Sequence, residues 1–195
     1  MTAGMTRLLS LLGKITNTSH RQPDAEDAEE ALRLFCREHN LLYFPRIHSP
    51  HKVSAGRGAY RGKTTTVTIE LPSEDGDEGK SATTNIHLSA PSQITGSLQL
   101  WAKKAPRWSL RRPLPFGLQA DPPLLAARLR TATDVQRHFS TLRRFGEAKL
   151  EVGLAKQELT LRVAVKRAMT PKQLEALLNW MCDAADRLEE AGGKR

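Results

Sequence analysis

Hydrophobic residues recur along the chain with two different spacings, one typical of helices and one typical of strands. Residues 23–40 place apolar side chains three or four positions apart, which predicts an amphipathic helix. Residues 63–71, 82–90 and 97–102 instead alternate apolar and polar positions, as half-buried strands do. Because short loops separate these three runs, we expect them to form an antiparallel meander.

Weaker patterns lie between the first helix and the meander. Leu41–Phe44 is a short apolar run that Pro45 cuts off, and it predicts a short strand. Glycines punctuate the stretch that follows, so Ala59–Arg61 is expected to form at most a short strand or a turn.

The second half of the chain again mixes strand-like and helical segments. Residues 116–120 predict a short strand, and Pro122 begins a short helix. Thr133–Gln136 fits a capping box, in which the Thr and Gln side chains satisfy each other's backbone donors. The helix that this box opens is expected to end at Gly146.

The last elements have the strongest patterns. Alternating runs at residues 150–154 and 159–165 predict a hairpin. Thr170–Gln173 is a second capping box, and the amphipathic helix that it opens is expected to stop at Gly192–Gly193. The order of elements predicts an α+β fold, an antiparallel β-meander plus a β-hairpin packed against amphipathic helices. An arrangement in two similar lobes stays open.

These patterns divide the chain into five parts. They are an N-terminal apolar and basic segment with its linker (1–22), a helix and meander lobe (23–102), a basic proline-rich connector (103–115), a helix–hairpin–helix lobe (116–190) and a tail (191–195).

Positive charge is concentrated in one region. The formal net charge is +9, and residues 103–146 carry ten Lys or Arg against two Asp or Glu, whereas residues 1–102 carry eleven of each. Aromatic residues interleave with the basic ones, a pattern suited to phosphates and unpaired bases. An acidic protein partner, an anionic lipid surface and an ordinary solvated face are the competing interpretations. The candidate residues for binding a partner or a nucleic acid are Trp101, Lys103, Lys104, Arg107, Trp108, Arg111, Arg112, Arg143 and Arg144.

Apolar residues recur at helical spacing near the N-terminus, where no acidic residue occurs before residue 24. The candidate docking residues there are Leu8, Leu9, Leu11, Leu12 and Ile15. Such a segment suits a docking peptide, peripheral contact with a membrane or a mitochondrial presequence, and also a short helix that caps the domain or a frayed tail. No apolar run reaches the roughly 18–20 residues that a membrane-spanning helix needs.

Two cysteines are too few for a disulfide scaffold, and Cys36 and Cys182 both fall in predicted helices. We interpret them as buried thiols in a reducing compartment, and we expect a cytoplasmic protein. Cys36, His39, His48 and His51 have the residue types of a zinc site, but the first two also fit the apolar stripe of the first helix. We therefore assign no metal and no cofactor.

The sequence contains no recognisable catalytic motif. Gly56 and Gly62 suggest a phosphate-binding loop, but five residues separate them where that loop has four, and a strand-like segment follows where it requires a helix. No nucleophile elbow and no HExxH sequence is present.

The sequence therefore favours a non-enzymatic adaptor or assembly protein. It would dock to a macromolecular partner, most simply a protein, through its N-terminal amphipathic segment and its basic connector. The alternative is a nucleic-acid-binding protein that uses the basic and aromatic stretch 101–144.

Overall fold

The computed structural model describes residues 25–46, 53–71, 82–102 and 116–193. Within them lie four α-helices and a 3-10 helix: α1 (Ala25–Glu38), α2 (Pro123–Thr131), α3 (Thr133–Ser140), the 3-10 helix Thr141–Phe145 and α4 (Pro171–Gly192). The strands are β1 (Leu42–Phe44), β2 (Val53–Tyr60), β3 (Lys63–Glu70), β4 (Thr83–Pro91), β5 (Ser97–Ala102), β6 (Phe116–Asp121), β7 (Ala148–Ala155) and β8 (Glu158–Val165). The predicted α+β class is confirmed.

The described strands form one antiparallel sheet. Their order is β1-β2-β3-β4-β8-β7-β5-β6, so the β7–β8 hairpin lies between β4 and β5. The expectation that β5 continues the meander beside β4 is wrong, because β5 pairs with β7 and β6. β8 is the better neighbour for β4 because it pairs with that strand along its whole length and continues its apolar side. Strands from residues 23–102 and 116–190 thus share one sheet.

β2 is an eight-residue strand, longer than the turn expected around Ala59–Arg61. A turn was expected here because glycine usually marks turns. Here a side chain at Gly56 would overlap the Cys36 sulfur, and one at Gly58 would lie 2.8 Å from a methyl carbon of Leu41. The glycines therefore permit α1 and the chain after it to pack closely on an ordinary strand.

One side of the sheet and the helices enclose a common hydrophobic core. A row of buried side chains at paired positions crosses the four central strands: Val67, Ile86, Val163 and Leu150. The helix α4 contributes its buried stripe to the same core, including Leu177, Leu178 and Trp180. The molecule is therefore a two-layer structure in which alternate strand residues face the helices.

The two predicted capping boxes have different outcomes. At Thr170 the box is formed, with the Gln173 backbone N–H donating to the Thr170 hydroxyl and the Gln173 side chain accepting from the Thr170 N–H. At Thr133 it is absent, because Ala132 is the N-cap residue and Thr133 already lies inside α3. Gln136 instead donates its side-chain amide to the carbonyl of Arg130 in the preceding helix.

Polar contacts fix the sheet to α4 at its first hairpin. The Arg61 guanidinium lies 2.8 Å from the Asp183 carboxylate, and the Lys63 ammonium lies 2.7 Å from Asp186. Tyr60 donates its hydroxyl to the side chain of Asn179. Among the described residues, no helix is both long and apolar enough to span a membrane.

Candidate binding surface on the open face of the sheet

The four helices pack against one face of the sheet, and no described helix covers the other. We call this second side the open face. It carries alternate residues of the strands, most of which are exposed or half-buried, whereas Ala55 and Gly117 on this face are buried. This polar face extends across all eight described strands and offers a broad surface for a partner.

The pairing register arranges the open face in rows, because directly paired residues point to the same side of a sheet. The central row crosses all eight strands in the order Leu42, Arg57, Thr66, His87, Arg162, Glu151, Trp101 and Gly117. We call these residues the central row. It places charged, hydrogen-bonding and apolar groups on one line from edge to edge.

Three hollows adjoin one another on the open face. One of about 350 Å³ lies over β3, β4, β8 and β7, and one of about 480 Å³ lies over β8, β7 and β5. They share Glu151 and Arg162 as lining residues. The third, of about 390 Å³, continues the second towards β6 and shares Gln99 and Gly153 with it. Small side chains such as Thr and Ala lie between longer ones and so form these hollows. Together, the hollows suit a ligand larger than a single side chain.

Charged side chains on the open face lack the ion pairs seen on the helical side. Arg57, Arg162, Lys149 and Glu151 form no ion pair with any described residue, although Arg162 and Glu151 are directly paired in the register. The Arg57 guanidinium lies over the Phe44 ring, 5.5 Å from its centroid. These charges are therefore available to a partner.

Together with Phe44 of β1, which is 44% exposed, Trp101 is an exposed aromatic residue of this face, with 41% of its surface accessible. Its ring lies over Gly117 on β6, where any side chain would overlap it. A tryptophan held flat against a neighbouring strand presents a large apolar area at low entropic cost, as interface anchors do. The sequence identified Trp101 as a binding candidate, and the structure places it on the open face.

Arg57 and Arg162 were missed as candidates by the sequence analysis. They lie on strands far apart in sequence, and only the β4–β8 pairing brings them into one row. The signal that could have found them is the alternation itself, which assigns both to the polar side of their strands.

The basic candidates lie at one end of the sheet as far as the structure describes them. Arg143 and Arg144 are exposed on the 3-10 helix, just before β7 begins. Ala102 and Phe116, which flank the basic connector 103–115, pair with each other at the same end. The candidate residues of the basic connector itself lie outside the described residues: Lys103, Lys104, Arg107, Trp108, Arg111 and Arg112.

The N-terminal docking candidates Leu8, Leu9, Leu11, Leu12 and Ile15 also lie outside the described residues. The described chain begins at the start of α1. Glu29, in the second turn of that helix, accepts hydrogen bonds from the Tyr43 hydroxyl at 2.7 Å and the Ser54 hydroxyl at 2.9 Å. The point where the N-terminal segment joins the fold is therefore fixed against β1 and β2.

The zinc candidates are divided between the core and the part not described. Cys36 is buried, and burial raises the pKa of its thiol to about 11, which disfavours the thiolate that a metal requires. The His39 ring packs 4.5 Å from Phe35 and 5.2 Å from Tyr60, between centroids. His48 and His51 are not described, and no group of three or more metal-ligating residues occurs elsewhere in the described chain.

His87 is the titratable residue at the middle of the central row. Burial, together with the neighbouring Arg162 guanidinium, lowers the pKa of His87 below its usual value, and Glu158 opposes this shift. His87 is therefore predominantly neutral near pH 7 and contributes hydrogen-bonding capacity rather than charge.

Comparisons with protein-family models, with curated proteins and with solved structures found no match to this chain.

Proposed function

We propose that this protein is a non-enzymatic interaction protein, an adaptor or assembly component, that binds a protein partner on the open face of its sheet. The observation that carries the proposal is the central row, in which an exposed Trp101 and charges without described ion-pair partners lie together on an uncovered face. Antiparallel sheets commonly leave a polar face in water, so it is the exposed aromatic residue on this face, Trp101, that favours a partner.

The charges of the open face favour a protein over a nucleic acid as the partner. Basic and acidic side chains both occur there: Arg57, Lys149 and Arg162, and Glu70, Glu151 and Glu158. A nucleic acid carries a phosphate at every nucleotide and requires a predominantly basic surface, whereas mixed charges around an aromatic anchor are typical of protein interfaces.

The sequence-based docking elements belong to the same proposal. The N-terminal segment 1–22, which precedes α1, and the basic connector 103–115, which joins β5 to β6, would add contacts to the same partner. We further propose a cytoplasmic location, supported by Cys36 and Cys182, which are both free and buried.

Replacing Trp101 by Ala is expected to weaken binding of the purified partner at least about tenfold, because central aromatic residues carry much of an interface's binding energy. The measurement is isothermal titration calorimetry with the full-length protein. Leu124→Ala is the matched control, since Leu124 is 60% exposed but lies on α2 in the helical layer. Equal affinity for the wild type and Trp101→Ala, or a loss confined to Leu124→Ala, would contradict the proposal.

Nucleic-acid binding is the second candidate function, and one observation favours it. Arg143, Arg144 and the two flanks of the basic connector lie at the same end of the sheet. This concentration of positive charge resembles the electrostatic footprint of a phosphate-binding surface.

Reversal of Arg143 and Arg144 to Glu tests that candidate directly. If nucleic acid binds at this end, the wild type should bind a labelled single strand with an affinity that falls steeply with salt, and the double variant should lose most of it. Fluorescence anisotropy measures both. Binding absent at low salt, or unchanged by the reversal, removes this candidate.

A further inference from the structure

We infer that the centre of the open face binds an acidic segment of the protein partner. This inference rests on the proposed function, because it names the chemistry of the partner that the open face receives.

Basic residues of the open face lie centrally and most acidic ones lie at its margins. Arg57 and Arg162 are both in the central row, and Lys149 is in the adjacent row on β7. Glu70 and Glu158 instead lie at opposite ends of their strands, at the last residue of β3 and the first of β8. A ligand lying across the middle of the sheet therefore meets three basic side chains and a single acidic one, Glu151.

The two arginines are separated by hydrogen-bonding side chains. Thr66 and His87 occupy the positions of the central row between them, on β3 and β4. A strand spacing of about 4.8 Å puts Arg57 and Arg162, three steps apart, about 14 Å from each other. A bound segment would place two carboxylates at about this separation and satisfy its remaining polar groups on the residues between.

Trp101 lies two strand steps beyond Arg162, or about 10 Å. It supplies an apolar anchor for a hydrophobic residue of the same segment. Glu151 lies between Arg162 and Trp101 in the central row. Its carboxylate would repel an acidic residue of the ligand at that position, so the acidic residues of the ligand are expected over β2 to β8. The expected ligand is acidic over β2 to β8 and apolar over β5.

The test uses three fluorescein-labelled peptides of equal length, built from Glu and Leu, from Lys and Leu, and from Gln and Leu, together with a labelled single-stranded oligonucleotide. Binding to the full-length protein is measured by fluorescence anisotropy at low and at physiological salt. The variants are Arg57→Gln with Arg162→Gln, and Glu151→Gln. Lys172→Gln is the control, because Lys172 is exposed on the first turn of α4 in the helical layer.

We expect the protein to bind the acidic peptide more tightly than the other two peptides. The double arginine variant should bind the acidic peptide about tenfold more weakly, because two exposed charge contacts are lost. Glu151→Gln should strengthen binding, and Lys172→Gln should leave it unchanged. Equal binding of the three peptides, preference for the oligonucleotide, or indifference to the arginine changes would overturn the inference. If the acidic peptide fails while Trp101→Ala still weakens the authentic partner, only the acidic chemistry is wrong. If both fail, the open face is not the binding surface.

Discussion

Replacing Trp180 by Ala is expected to lower the free energy of unfolding by about 3–5 kcal/mol, the usual cost of deleting a buried aromatic side chain. Trp180 is 1% exposed and joins three elements. Its ring stacks on His138 of α3 at a centroid distance of 4.9 Å, and its indole N–H donates to the Thr141 hydroxyl at 3.0 Å. The substitution would leave both a cavity and an unpaired hydroxyl acceptor between α4, α3 and the 3-10 helix.

Urea denaturation followed by circular dichroism measures this effect. Trp180→Phe serves as the matched variant, since it keeps an aromatic ring in the cavity but removes the indole donor, and it should cost clearly less than the alanine change. A loss below about 1 kcal/mol for Trp180→Ala would mean that α3 and α4 do not pack as described.

Gly96→Ala is expected to destabilise the fold by about 3 kcal/mol, at the upper end for a strained backbone position. Gly96 has φ of 122°, where residues with a side chain are rarely found. A methyl group there would also overlap the Asp121 carbonyl and lie 2.8 Å from Pro122. The backbone carbonyl cannot rotate away as a side chain can, so β5 and β6 must shift relative to each other.

Gly62→Ala separates strain from overlap. Gly62 also has a positive φ, 74°, but nothing lies within 4 Å of an added methyl group. Its cost should be about 1–2 kcal/mol, that of the left-handed conformation alone. Thermal and urea unfolding of the two variants compare them. Equal losses at both positions would show that the contact between Gly96 and Asp121 is not as close as described.

The change at Gly96 bears on function because it moves β5, which carries Trp101. A variant that still folds but has lost partner binding would connect the β5–β6 register to the open face. Gly62 lies at the β2–β3 turn, away from Trp101, so its alanine variant should bind normally once folded.

Local elements were predictable from sequence because their signals are local. The α4 helix has a capping box at Thr170 and an apolar stripe that continues to Leu188, and both are present. The box at Thr133 failed because a neighbouring helix ends at Thr131, which left Ala132 as the cap and gave Gln136 another acceptor.

Tertiary pairing was not predictable from local patterns. The meander was extended to β5 because the alternating runs follow one another in sequence, yet the hydrophobic side of β8 matches β4 more completely. Gly56 was interpreted as a turn signal because the approach of Cys36 to the strand is visible only once α1 is packed. In each case the deciding contact joins residues far apart in the chain.

The residues of the candidate site also differ in how far the sequence alone could identify them. Trp101 stood out in sequence because it is aromatic and adjoins basic residues. Arg57 and Arg162 did not stand out, since isolated arginines on polar strand positions are common and only the strand order places them in one row. The open face is thus a product of topology rather than of a motif.

The central claim is that the open face receives the partner, and site-specific photo-crosslinking tests it most directly. A photoreactive residue is placed at Gln99, which is exposed on the open face, or at Ala176, which is exposed on α4. The full-length protein is then irradiated with its purified partner. We predict a covalent adduct from position 99 that disappears with Trp101→Ala, and none from position 176. An adduct from position 176 with none from position 99 would contradict the account.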